Sequence, residues 1–253
     1  MPSREISANE KSIEEQLHLQ RIFRHLAFDF PLERLESKLQ KLSEKLCNKH
    51  MTGNHDGFDG TRNSKIHSEN EVEHAKYLRE RSKYIATVQE EANNGKELVA
   101  TKHQIDATAL LYAYEKLGCT LPHGRAQAEE MIWEINDNLD GMISYDEFER
   151  SYLRARSDRT GLEPSELFFL ICFLMFDKEC AGQITLDDAM KIFYLKYDAS
   201  MEEEMEIHFG HHLDHGVHVI SFTEYRDAIL KRSMQLIDQQ AAVAKTGKHM
   251  KRV

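Results

Sequence analysis

The chain has 253 residues, enough for one large domain or two small ones with an ample core. Charged residues make up 30% and the apolar set 41%, with only 12 glycines and 4 prolines, which argues for an all-α protein rather than a β-sandwich. A formal net charge of −10 disfavours generic nucleic-acid binding. The four cysteines, Cys47, Cys119, Cys172 and Cys180, form no CxxC pair, and the N-terminus carries no apolar leader, so a reducing cytoplasmic compartment is expected.

Residues 10–28 place Ile13, Leu17, Ile22, Phe23 and Leu26 at helical spacing, and Pro31 is expected to break or restart the chain. Leu32, Leu35, Leu39, Leu42 and Leu46 then alternate in steps of three and four, the seam of a short coiled coil. Barely more than two heptads is too short to stand alone. The seam is therefore a candidate surface for the preceding helix, for the helical body downstream, or for a helical or coiled-coil partner. Residues 49–70 are poor in apolar side chains and rich in Gly, Asn and Asp, which predicts a loop. Its Asp56 and Asp59 sit in Asp-Gly turn chemistry rather than a coordination set. A charged helix is expected over about 71–91.

Residues Asn136–Glu147, NDNLDGMISYDE, carry oxygen donors at the offsets of a twelve-residue calcium loop. Side-chain oxygens are required at positions 1, 3, 5 and 12, a backbone carbonyl at 7 and often a water held by 9. Here these are Asn136, Asn138, Asp140, Glu147, Met142 and Ser144, and Gly141 at position 6 permits the sharp turn. The loop is charge-poor. Asparagine at position 1 leaves Asp140 and Glu147 as the two ligand carboxylates, so one Ca2+ site and a loop that keeps its shape without metal are both open.

Ile143 stands at position 8, and isoleucines at Ile105, Ile184 and Ile220 repeat that setting at separations of 38, 41 and 36 residues, each before an amphipathic helix. Four repeats in two pairs follow. The first has lost its donors, with Leu98, His103 and Ala109 at positions 1, 6 and 12. The third, Asp177–Asp188, offers Asp177, Glu179, Gln183, Thr185 and Asp188, but Ala181 stands where an oxygen is needed and Asp188 is one methylene short of glutamate. The fourth keeps Ser221 and Glu224 yet has Leu213 and His218 at positions 1 and 6, which makes it a structural partner of the third.

His208, His211, His212, His215 and His218 cluster beside it, conceivable zinc or copper ligands although no closed zinc spacing is met; a solvated loop is the plainer reading. Leu167–Phe176 is apolar on both sides. Leu167, Leu170, Ile171 and Leu174 therefore need a second cover, supplied by the N-terminal helices or by a partner helix. At ten residues the run is half a membrane span. The tail 232–253 is basic.

The stretch TLPHGRAQAEEMIWEINDNLDGMISYDEFERSY resembles the second half of a calmodulin lobe, and the resemblance to the EF-hand superfamily covers about residues 105–230. Thr160–Tyr197 is also similar to EF-hand proteins of cilia and flagella, the group that includes the small subunit of the outer dynein arm docking complex. Together these imply two paired EF-hand lobes, mostly degenerate, with an N-terminal helical extension. The expected segments are 1–48 (helices and seam), 49–74 (linker), 75–155 and 156–232 (hand pairs) and 233–253 (tail). The implied function is a non-enzymatic adaptor or calcium sensor that grips helical segments of a larger, microtubule-associated assembly such as the axoneme. A calcium-independent scaffold and, more remotely, a metalloenzyme built on the histidines are the alternatives.

Overall fold

Few glycines, few prolines and long amphipathic stretches produce helices through most of the chain, and the computed structural model describes residues 8–51, 60–93, 103–158, 163, 166–197, 201–214, 219–231 and 234–235. The expected all-α class is what these residues show. Among them strand is confined to one two-stranded sheet and one isolated bridge. The chain divides into two compact units, residues 1–22 with 105–253, and residues 23–104.

In the 23–104 unit, a π-helical turn, His25–Asp29, is followed by α2 (Phe30–Met51) and α3 (Gly60–Asn93). The turn follows α1 (Ala8–Arg24) without a break. Pro31 does not break the chain as expected. It stands second in α2, where a missing N–H is tolerated, and the widened turn before it takes up the change in register, with the Phe30 N–H donating to the His25 carbonyl.

α2 lies along α3. Leu39 and Leu42 are buried and Leu32, Leu35 and Leu46 half-buried, while the half-buried stripe of α3 reads Asn70, His74, Tyr77, Arg81 and Tyr84. Ser43 Oγ and His74 Nε2 are 3.2 Å apart, Arg81 Nε donates to Glu36 at 3.0 Å, and the Lys38 ammonium lies 5.1 Å from the centre of the Tyr77 ring. The leucine seam thus finds an intramolecular partner that is polar and aromatic rather than aliphatic. Helix from Gly60 onward also corrects the loop expected over 49–70, a stretch too poor in apolar side chains for hydrophobic periodicity to register as helix. Asp56 and Asp59 lie outside the described residues.

In the other unit, α4 (Ala107–Lys116), α5 (Arg125–Trp133), α6 (Tyr145–Ser157), α7 (Glu166–Phe176), β1 (Gln183–Thr185), α8 (Leu186–Tyr197), α9 (Met201–Asp214), β2 (Val219–Ser221) and α10 (222–231) follow in order. Ile105 and Ile143 exchange both backbone hydrogen bonds, at 3.0 and 2.9 Å. β1 and β2 run antiparallel with Ile184 opposite Ile220. The residue after each of these four isoleucines caps a helix: Asp106, Ser144, Thr185 and Ser221 accept from the backbone N–H three residues on, at 2.7, 3.4, 3.1 and 3.3 Å.

The core of this unit is aromatic. Phe173 packs edge-on against Phe222 at 4.8 Å and Tyr114 meets Phe222 at 5.3 Å. α7 is buried from Leu167 through Met175, so Leu167, Leu170, Ile171 and Leu174, expected to need cover from the N-terminal helices or from a partner helix, are covered by this chain. The two paired halves share a wall: Thr223 Oγ1 donates to the Gly118 carbonyl at 3.1 Å, and Arg226 bonds Glu166 at 3.0 Å while Gln127 reaches the same carboxylate at 3.2 Å.

Candidate metal centre

α5 ends at Trp133, and the chain turns through Asn136–Glu147 into α6. Leu139 (φ +60°) and Gly141 (φ +78°) adopt left-handed conformations, the second at the position where glycine was expected for the sharp bend. Asp140 N–H donates to Asn138 Oδ1 and Met142 N–H to Asp140 Oδ1, each at 2.9 Å. Asn138 Nδ2 donates to Asp140 Oδ2 at 3.1 Å.

Glu147 is folded inward and only 5% exposed. Its Oε1 accepts from the N–H groups of Asp137 (3.0 Å) and Asn138 (3.4 Å), and its Oε2 from the N–H (2.9 Å) and hydroxyl (2.7 Å) of Ser144, completing a capping box at the start of α6. Burial pushes this carboxyl up, but the hydrogen bonds from Ser144, Asn138 and Asp137 together outweigh it and hold it below its ordinary range.

Asn136 is the exception to this saturation. It is 3% exposed, and both Oδ1 and Nδ2 are buried without a hydrogen-bond partner. An orphaned buried amide costs about 1–3 kcal/mol. The loop therefore holds an unmet acceptor at position 1, together with the carboxylates of Asp140 and Glu147, the Asn138 amide and the Met142 carbonyl. Ser144 can hold a water. Oxygen donors alone suit a hard divalent cation, and these six residues would hold it.

The third loop has the same turn and a different use of charge. Cys180 (φ +51°) and Gly182 (φ +76°) are left-handed, at positions equivalent to Leu139 and Gly141. Buried Asp177 accepts from the N–H of Ala181 at 2.9 Å and of Gly182 at 2.8 Å. Asp188 accepts from the Thr185 hydroxyl and the Lys191 ammonium, each at 2.7 Å. Burial raises the Asp188 carboxyl, while Lys191 and Thr185 more than reverse this and leave it below its ordinary range. Each acidic end is satisfied by its own surroundings, and Gln183 and Glu179 add no buried orphan.

The histidines are not a solvated loop where they are described. α9 runs from Met201 to Asp214, and His208, 8% exposed, lies 3.3 Å from Glu204 and 5.0 Å from the Phe193 ring. The side chains of His211, His212, His215 and His218 lie outside the described residues. Leu98, at position 1 of the first repeat, does so as well. Among the described residues no three His, Cys, Asp or Glu side chains converge as a metal-holding group, and no helix is long and apolar enough to cross a membrane.

Sequence reasoning missed the polar residues that tie α1 to this unit. Glu15 meets Tyr152 and Arg156, and Arg21 reaches the end of α7. No local pattern announces contacts across more than 130 residues. No protein-family model matches the chain, and no curated protein shows significant similarity to it.

Proposed function

We propose that the chain is a non-enzymatic adaptor of the EF-hand class in which Asn136–Glu147 takes one calcium ion and the helical body engages helical segments of a larger assembly. Two hand pairs, the first bridged by Ile105 and Ile143 and the second by β1 and β2, belong to this reading, and the capped helix after each isoleucine supports it. The observation that carries the cation is Asn136, whose buried amide oxygen lacks a partner in a loop whose other ligand positions also offer oxygen. Isothermal titration of the intact chain with calcium should show one site, abolished by Glu147→Ala. No heat at millimolar calcium would remove the sensor.

A second reading, a calcium-independent scaffold, is favoured by a different observation: the Glu147 carboxylate already accepts four hydrogen bonds from its own loop. Under it Glu147→Ala would weaken folding while calcium changed nothing. Placement at a ciliary or flagellar axoneme, with a coiled-coil partner, rests on the resemblance of Thr160–Tyr197. A tagged chain absent from the axonemes of a ciliated cell would withdraw it.

A further inference from the structure

Helix α3 turns one side to α2 and the other to solvent, and the two sides use different residues. Toward α2 it presents Arg81 to Glu36, Tyr77 to Lys38 and His74 to Ser43. On the opposite side, at the steps of three and four that return to one face of a helix, Val72, Ala75 and Arg79 are exposed, flanked by exposed Glu69, Glu71 and Lys76. Val72 is 71% exposed, more than any other large apolar side chain among the described residues.

The charges on this outer face are sorted. Glu69 and Glu71 stand before Val72, and Lys76 and Arg79 follow Ala75. The helix dipole does not account for the order. Its influence fades within the first and last turns, whereas α3 runs from Gly60 to Asn93 with no acid in its first turn and no base in its last. Spacing along the helix adds repulsion at both ends of the patch, Glu69 against Glu73 and Arg79 against Lys83, each pair four residues apart; only Lys76, four before Glu80, has an opposite charge at that step. A sorted face of this kind is complementary to itself when reversed. With a two-fold axis beside residues 73–74, Val72 of each copy lies on Ala75 of the other, Glu69 stands opposite Lys76, and Arg79 reaches toward Glu71. A parallel copy would set each charge against its like.

We propose that residues 69–79 of α3 are a self-association surface whose occupant is a second copy of this chain, docked antiparallel on Val72 and Ala75 and held in register by Glu69, Glu71, Lys76 and Arg79. Neither the calcium loop nor the adaptor reading enters into it. Residues 69–79 span about 16 Å of helix, so the contact lies at the small end of specific interfaces and should form with a Kd of about 10–100 µM.

The test is sedimentation velocity of the intact chain in chelator, from about 5 to 300 µM. The wild type should pass from monomer to dimer across that range. Glu69→Lys with Glu71→Lys makes the face wholly basic, and Lys76→Glu with Arg79→Glu makes it wholly acidic. Each of these chains alone should stay monomeric, while their equimolar mixture should dimerise at least as tightly as the wild type. All four positions are exposed and lie off the stripe that meets α2, so far-UV circular dichroism should be unchanged. Where a charge variant does lose helix, Val72→Lys puts the same question from the centre of the patch and should leave the chain monomeric. A wild type that is monomeric at the highest concentration overturns the proposal. So does a dimer that survives the charge variants or Val72→Lys, which would put the contact elsewhere, and so do two monomeric charge variants that fail to combine.

Discussion

Loops 136–147 and 177–188 share a backbone and differ in where their polar groups find partners. Both place a left-handed residue at position 4 and a left-handed glycine at position 6, and both end in a carboxylate within reach of a position-9 hydroxyl. In the third loop Asp177 is saturated by two backbone N–H groups and Asp188 is claimed by Lys191. In the second, the position-12 carboxylate is held inside and position 1 is an amide with nothing to bond. Counting carboxylates alone would give the third loop the stronger claim to a cation. The distribution of unmet acceptors gives it to the second, because an ion replaces hydrogen bonds only at a cost and fills an orphan without one.

The sharpest way to break this comparison is to delete position 1 in each loop. Asp177→Ala leaves the buried Gly182 N–H and the part-buried Ala181 N–H unpaired and should cost about 2–4 kcal/mol in urea unfolding. Asn136→Ala removes an orphan and should cost less than about 1 kcal/mol. Equal losses would mean that Asn136 is not orphaned.

The glycines come next. A Cβ on Gly182 would lie 2.7 Å from the Leu117 carbonyl oxygen, while one on Gly141 meets nothing within 4 Å, although both residues have φ near +77°. Gly141→Ala should therefore carry only the left-handed penalty of about 1–2 kcal/mol. Gly182→Ala should lose about 2 kcal/mol more, since backbone has to move.

Asn136→Asp sharpens the metal side of the comparison. A third ligand carboxylate should raise calcium affinity about tenfold or more. In chelator the same change should lower the melting temperature, by burying an unpaired charge.

The smallest effect concerns pH and comes from His18 on α1, one of whose charged neighbours, Lys178, belongs to the third loop. Burial, then Arg21 and Lys178, hold the His18 imidazole below its ordinary 6.5, against the opposing pull of Glu14 and Glu15. The unfolded chain then takes up the proton first, so stability should fall as pH drops below about 6.5 and level off once the folded group also titrates. His18→Gln should flatten that slope, and thermal melts across pH 7.5 to 5 would reveal it.

Much of the loop architecture was legible because coordination geometry imposes fixed offsets: the position-8 isoleucine recurs in all four repeats whether or not the donors survive, and the position-6 glycine in the second and third. The burial of α7 was legible too, since a helix apolar on both sides needs two covers. What escaped depended on polar side chains acting at long range. The start of α3 reads as loop because residues 60–70, GTRNSKIHSEN, hold a single large apolar side chain, Ile66, and hydrophobic spacing is blind to such a stretch. Pro31 looks like a breaker until the π-helical turn before it is known. The pairing of Glu15 with Arg156 has no local trace at all. Nor could spacing show that Asn136 lacks partners, which depends on where its neighbours' N–H groups point.

The contact of Gly182 with Leu117 and of Thr223 with Gly118 makes the first bend of the unit a template for its last turn. Fragments cut at the 158–163 connection would each carry one half of an interlocking edge, with the backbone of 117–118 bared on one piece and the glycine notch on the other. Lengthening the segment joining α4 to α5 by even one residue should then register far away in sequence, at α10.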